Sequence, residues 1–221
     1  MNIFLDIETI PSQNPAHWEW IEKTLRPPAQ MSKPETIAKW EAEGRAVDLQ
    51  KKIQETSLDG AFGEVFCIGF AVDDDEPAVM MRQDLSSEAE EALLDRFLGR
   101  FLGEVGAASR EIPTFIGHYL RVFDLPFLQH RAIVRRCPAL RLPWNDRKGL
   151  YTEDTREMWT GNQRDHIGLD KLCCALGIDC LKGDLDGSKV WEYVQAGRTE
   201  EVCEYCEDDV RRTREIWKRL R

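Results

Sequence analysis

The chain has 221 residues, 42% of them hydrophobic and 32% charged, with a formal net charge of −10. That hydrophobic content supports one large domain with a sizeable core. The acidity excludes a protein that coats nucleic acid by bulk electrostatics, but not an enzyme that holds one strand end through metal ions and a few local Lys and Arg.

No stretch is apolar and long enough to span a membrane, and the first residues do not read as a signal peptide. The seven cysteines have no framework spacing and read as reduced core thiols of a cytoplasmic protein. Cys203 and Cys206 form a CxxC in the middle of an expected helix with no second pair, so no redox or zinc role is expected for them.

Residues 1–7 read as a buried strand, with Ile3, Leu5 and Ile7 on one face and Phe4 on the other. Asp6 and Glu8, two apart, point the same way and stand side by side. Two like charges there repel and are costly to desolvate. A divalent cation would offset that cost, and so would a solvated edge; the strand alone leaves both open. Pro11 ends the pattern and opens a helical insertion over residues 11–60. In it, Trp18, Trp20, Ile21 and Leu25 suggest a short amphipathic helix ended by Pro27 and Pro28. A second helix is expected over residues 34–56, with Ile37, Trp40, Ala46 and Leu49 at helical spacing. The insertion leaves the acidic strand directly, and either shapes a site there or only flanks it.

The turn LDGAF leads into a strand over residues 64–72. DDDEP turns it into a second strand over 78–82, an antiparallel hairpin. Ser86 or Ser87 caps a helix whose stripe is Leu93, Leu94, Phe97, Phe101 and Leu102. A short buried strand follows over residues 112–116, ending at Gly117. A helix then starts near Asp124, with Pro126 in its first turn, and runs to about Arg136. Asp124 is either a functional acid or that helix's N-cap. Residues 137–149 connect to a last strand over 150–154. Helices are expected over 169–176, 190–196 and from Thr199 to the end. Strands interleaved with helices after an early hairpin imply one α/β three-layer domain with a mixed central sheet over residues 1–221.

On the final helix Val202, Cys206, Val210, Thr213, Ile216, Trp217 and Leu220 fall within one arc of about 120°. Asp208, Arg212, Arg214 and the other charged residues fall outside it, and Asp209 alone falls inside. An acid on a packed face needs a partner. Tyr205 is one turn away, and an Arg, a Tyr or a backbone group in the core would also serve. Asp6, Glu8, Asp124 and Asp209 are thus four hard oxygen donors on three elements, a set suited to Mg²⁺ or Mn²⁺. Two such ions about 3.5–4 Å apart support phosphodiester cleavage, although four acids alone leave the reaction class open. Arg131, Arg135, Arg136, Arg147 and Lys148 either line a strand groove or form a solvated face. His166 precedes a helix with no recognisable partner, and Asp170 either caps that helix or takes part in chemistry.

FLDIET resembles the first motif, DxE, of the DnaQ-like (DEDD) 3′–5′ exonucleases. FDLPFL resembles the second, and YCEDDV the third, YxxxD, of the tyrosine branch; the position where the histidine branch needs His is Glu204. LDGAFGEVFCIGFA, LDKLCCALGI and DGSKVWEYVQAGRTEEVCEYCEDDVRRT resemble blocks of predicted exonucleases related to the proofreading domain of family B DNA polymerases. The resemblance implies an RNase H-like fold. In it Asp6, Glu8, Asp124 and Asp209 hold two divalent metal ions, Mg²⁺ or Mn²⁺, and Tyr205 orients the attacking water. It implies removal of nucleoside 5′-monophosphates from the 3′ end of single-stranded nucleic acid, DNA on the proofreading likeness, with Thr9, Tyr119 and Phe123 as substrate contacts. A polymerase or repair partner would be a separate chain. The alternatives are an exoribonuclease that trims RNA ends and a non-catalytic nucleic-acid-binding module; a degenerate module would have lost ligands, and none is lost. One departure stands in the second motif, which reads GHY where relatives commonly have GHN, putting Tyr119 in the Asn place.

Overall fold

The structure, a computed structural model, describes residues 1–103, 113–137, 151–161, 165–179 and 183–221. In chain order the elements are β1 (Asn2–Ile10), α1 (Pro15–Thr24), α2 (Pro34–Lys39), α3 (Arg45–Glu55), β2 (Glu64–Val72), β3 (Ala78–Met81) and α4 (Ser87–Leu98). These are followed by β4 (Thr114–Gly117), α5 (Asp124–Arg135), β5 (Tyr151–Asp154), α6 (Thr155–Thr160), α7 (Leu169–Leu176), α8 (Val190–Gln195) and α9 (Thr199–Leu220). The expected strand start at Ile112, the connection over 138–149 with Arg147 and Lys148, Cys180, and the Leu102 side chain lie outside the described residues.

β1 is the central strand of a mixed sheet in the order β3-β2-β1-β4-β5. It pairs antiparallel with β2 and parallel with β4; β3 is antiparallel to β2, and β5 parallel to β4. Its period of two sorts its side chains between two helical layers. Ile3, Leu5 and Ile7 pack with Leu93, Leu94 and Phe97 of α4 and with Leu125, Phe127 and Leu128 of α5. Phe4 faces the other way, against Val210 and Trp217 of α9, with the Phe4 and Trp217 rings edge to face at 5.4 Å. Ile10 and Cys67 meet Tyr193 and Val194 of α8 and Val202 and Cys206 of α9. Each such side chain contributes about 1.5–3 kcal/mol by leaving water. The expected hairpin and the Ser86 cap are both present, Ser86 Oγ accepting from the Ala89 N–H at 3.2 Å.

The insertion departs from expectation in detail. The run 34–56 is not one regular helix, because a π turn at Trp40–Gly44 separates α2 from α3. Trp40 is buried there and its indole donates to Asp48 Oδ2 at 2.6 Å; a side chain at Gly44 would meet Trp40 Cδ1 at 2.8 Å. Nor is α1 amphipathic in the expected sense, since only Ile21 is buried and Trp18 and Trp20 stay 37% and 56% exposed. Both indoles make edge contacts instead: Trp20 on the Phe62 ring, and Trp18 through its N–H to the Ser12 carbonyl. The insertion is tied to the end of β1 by the Thr9 hydroxyl, which donates to the Ser57 carbonyl, and by the Ser12 N–H, which donates to Thr56 Oγ1.

Two expectations about charge are corrected. Arg131 is fully buried and forms no strand groove; it pairs with Glu90 at 2.8 Å and donates to the Gly60 and Ala61 carbonyls, and Arg135 joins it on Glu90. Arg136 is exposed and ends α5 in a left-handed conformation. On α9 the buried surface is wider than the apolar arc. Asp208, Arg212 and Arg214 are buried as well, because α9 lies between the sheet and further structure. Ile216 packs with Leu172 and Cys173 of α7, and Arg211 reaches the Asp179 carbonyl. No helix among the described residues is long and apolar enough to cross a membrane.

Candidate active site

Asp6 and Glu8 lie on the face of β1 that turns toward α9, opposite Gly69 and Cys67 of β2. Gly69 allows the close approach of that helix. A Cβ there would meet Cys206 Sγ at 2.8 Å, Val210 Cγ2 at 3.0 Å and the Cys206 carbonyl at 3.1 Å. The register shifts between Glu8 and Thr9, an irregularity of the kind that re-aims side chains near sites.

Asp124 arrives from the opposite layer. The β1–β4 pairing stops at Phe4 and Ile116, so the Ile7 N–H has no strand partner on that side, and Asp124 Oδ1 accepts it at 3.1 Å. Phe123, not Asp124, is the N-cap of α5. A carboxylate that the sequence did not single out, Asp154, holds the loop ahead of Asp124. It is buried and accepts the N–H groups of Tyr119 and Arg121, at 3.1 and 3.3 Å, as well as those of Arg156 and Glu157 at the start of α6. An acid at a strand end just before a helix is a capping signal that could have found it.

From α9, Tyr205 and Asp209 face the strand acids. Asp209 Oδ1 accepts from Arg212, which also contacts Asp170 and lies 2.9 Å from Asp208 Oδ2. Asp209 therefore has the Arg partner that a buried acid requires. Asp208 does not point to solvent as the helical phase predicted; it is 5% exposed and bound to Arg211 and Arg212. Asp170 is no cap: Gly168 holds that position, and the Asp170 carboxylate goes to Arg212.

Burial, followed by the charges of Cys206, Asp209, Glu8 and Asp124, pushes the Asp6 carboxyl well above the carboxylate range. Glu8 is raised likewise, by burial and then by Asp209 and Asp124. Asp124 is raised to about 8, with burial outweighing its backbone hydrogen bonds. Asp209 is raised only to about 6, since Arg212 opposes the effect of burial. Burial, Asp209, Glu8 and Asp6 raise the Tyr205 phenol, which keeps its proton. The four acids and Tyr205 thus share one field, and it is a field short of positive charge. Glu8 is 7% exposed, and among the described residues its carboxylate has no hydrogen-bond or ion-pair partner. Asp6, Glu8 and Cys206 each place a ligand atom within 4.8 Å of the others. Hard oxygen donors, mutual repulsion and a carboxylate without a hydrogen-bond or ion-pair partner among the described residues fit divalent cations.

The three expected substrate contacts are placed differently from one another. The Thr9 hydroxyl is committed to Ser57. Tyr119, at φ 69°, lies with the Arg156 guanidinium 3.7 Å from its ring centroid and His166 edge-on at 6.3 Å, so His166 does have a partner. Phe123 is half-buried beside Phe127 and lines a cavity of about 350 Å³ with Leu58, Val122 and His130.

Residues 58–221 match a family described as predicted 3′–5′ exonucleases related to the exonuclease domain of PolB. The chain belongs to this family. The match holds the second and third motifs, and β1 with its two acids precedes it. A solved structure of the family B DNA polymerase from the hyperthermophilic archaeon Pyrobaculum calidifontis is similar over 99% of this chain, with a TM-score of 0.60 and 16% identity. The chain spans 24% of that polymerase. This likeness shows the fold, the RNase H-like fold of a polymerase exonuclease domain, and it includes β1. A search among curated proteins finds no match.

Proposed function

We propose that this member of the PolB-like exonuclease family is a metal-dependent 3′–5′ exonuclease, a single domain over residues 1–221. It removes nucleotides from single-stranded ends, DNA in the first instance, as nucleoside 5′-monophosphates. Asp6, Glu8, Asp124, Asp209 and Tyr205 are its catalytic residues. The observation that supports this most is Glu8, 7% exposed, whose carboxylate has no hydrogen-bond or ion-pair partner among the described residues and lies in the field of Asp209 and Asp124.

Asp6, Glu8, Asp124 and Asp209 would hold two divalent ions, Mg²⁺ or Mn²⁺, which supply Lewis acidity for water activation and charge neutralisation at the scissile phosphate. The chain's own groups do the positioning. The Ile7 amide fixes Asp124, and Arg212 fixes Asp209 one turn from Tyr205. The raised Tyr205 phenol remains a hydroxyl, able to orient a water by hydrogen bonding. Asp154 anchors the loop that carries Tyr119 and Phe123, and Phe123 beside the exposed Val122 offers an apolar surface on which a terminal base can stack. Thr9 acts through the insertion it holds.

The test is the polarity and chemistry of cleavage. With Mg²⁺ or Mn²⁺, 5′-labelled single-stranded DNA is expected to shorten from its 3′ end one nucleotide at a time, faster than duplex DNA or RNA, releasing 5′-monophosphates. Release of a labelled 5′-terminal nucleotide as the first product, or internal cutting, contradicts the proposal, and faster trimming of RNA reassigns the substrate.

A further inference from the structure

The proposed chemistry leaves one ligand atom of the acid cluster unused, the Cys206 sulfur. It lies 3.5 Å from Asp6 Oδ2 and 3.7 Å from the Asp6 carbonyl oxygen. A tetrahedral zinc ion with Zn–S about 2.3 Å and Zn–O about 2.1 Å has an S···O edge of about 3.6 Å. The thiol and Asp6 are therefore already spaced as two vertices of such a site. The third vertex is Glu8, whose ligand oxygen lies within 4.8 Å of both and whose buried carboxylate has no other partner among the described residues. The sulfur is also held in place. Cys206 is fully buried, and the close contact of its turn of α9 with Gly69 fixes its height above β1.

We propose that Asp6, Glu8 and Cys206 form a binding site for a thiophilic divalent cation of the zinc class, which competes with Mg²⁺ for the two carboxylates and silences the nuclease. Zinc accepts carboxylate oxygen together with thiolate sulfur, whereas magnesium takes oxygen alone. Zinc also stands above manganese in affinity for a given site. On binding, the S–H bond breaks, its proton leaves to solvent, and the sulfur electron pair forms the bond to the ion, with no change of oxidation state. Cys203 is outside the group of ligand atoms within 4.8 Å of one another; its sulfur contacts Met81 Sδ at 3.6 Å and the Cys67 thiol, which also contacts Cys206. The ligand atoms grouped with the Cys206 sulfur are thus the two carboxylates of β1 and not the Cys203 sulfur. Only the inhibitory consequence rests on the exonuclease proposal; the site itself does not.

The test is a titration of the metal-free full-length protein with Co²⁺, a spectroscopic substitute for zinc. One Co²⁺ per chain is expected to give a thiolate-to-cobalt charge-transfer band in the near ultraviolet. The band should persist in Cys203→Ser, vanish in Cys206→Ser and Cys206→Ala, and be displaced by Zn²⁺. Calorimetry should show Zn²⁺ binding at least about tenfold more weakly to Cys206→Ser, with circular dichroism confirming that the variant is folded. If neither Cys206 variant folds, Asp6→Asn must weaken Co²⁺ binding by a similar factor. Absence of a sulfur band in the wild type, or its survival in Cys206→Ser or Cys206→Ala, overturns the site. If the Cys206 variants do not fold, unchanged Co²⁺ affinity in Asp6→Asn overturns it too. The spectrum needs no catalysis: a protein that gives the band with Co²⁺ yet cleaves nothing when supplied with Mg²⁺ or Mn²⁺ alone refutes the exonuclease proposal alone, and one that cleaves with Mg²⁺ or Mn²⁺ but gives no band with Co²⁺ refutes the zinc site alone.

Discussion

Tyr205, Asp208 and Asp209 show how much a few atoms decide on one turn of α9. Tyr205 and Asp209 share the field of Asp6 and Glu8, whereas Asp208 is tied to Arg211 and Arg212. Tyr205→Phe keeps the ring and loses the hydroxyl, so kcat is expected to fall by about 10²-fold with little change in KM; steady-state kinetics on a single-stranded oligonucleotide checks this. Asp208→Ala acts through stability instead. It removes one member of a buried ionic group and leaves Arg212 under-compensated, which costs about 3 kcal/mol. Urea unfolding should register that loss while the folded variant still cleaves; loss of all cleavage in a folded Asp208→Ala would place this residue in the chemistry. The helical phase did single out Asp209 from the sequence, because a lone acid in an apolar arc stands out. It misplaced Asp208, because burial achieved by pairing charges with one another leaves no apolar signature. The buried Arg131–Glu90 pair leaves no apolar signature for the same reason.

Between elements, the site depends on how closely α9 approaches β1 and β2. Gly69→Ala places a methyl against Cys206 and Val210, including a backbone carbonyl at 3.1 Å, so the helix must shift. A displacement approaching 1 Å at Asp209 and Tyr205 is expected to lower kcat by about 10²-fold. The comparison of kcat with Tm decides: a variant as active as the wild type contradicts the requirement for close approach. Behind the sheet, Glu90 joins α4 to α5 through Arg131 and Arg135 and accepts the Val65 N–H at 2.8 Å. Burial raises its carboxyl, but the bond and charge of Arg131, then Arg135, outweigh this, and it lies below its ordinary value of 4.5. A depressed carboxyl stabilises the fold above the unfolded pKa, and that stability is lost as pH falls through the folded value. Unfolding free energy should therefore decline below about pH 4.5, and more shallowly in Glu90→Gln; equal slopes in the two proteins contradict the role given to Glu90. Most of these elements were legible from periodicity, caps and turns. The π turn at Trp40–Gly44 and the exposed indoles of α1 were not, since both follow from tertiary contacts with Asp48, Phe62 and Ser12.

For the whole molecule, one central strand carries two acids, and two helical layers bring the others to it. The sequence showed which acids lack a local reason to be where they are; how they meet depended on details it does not carry, such as the early end of β4 that leaves the Ile7 amide to Asp124. Concentrating that much negative charge should make stability depend on divalent cations. A ligand at 100 times its Kd adds about 2.7 kcal/mol, so Mg²⁺ or Mn²⁺ should raise the Tm of the metal-free protein and leave that of Asp6→Ala unmoved. The most direct measurement is the initial rate at which wild type, Asp6→Ala and Asp209→Ala, purified identically and shown to be folded, shorten a 5′-labelled single-stranded DNA in saturating Mg²⁺ or Mn²⁺. The expected result is 3′-end shortening by the wild type and a loss of at least about 10³-fold in each variant. Undiminished cleavage by either variant would contradict the assignment of these acids as the catalytic centre.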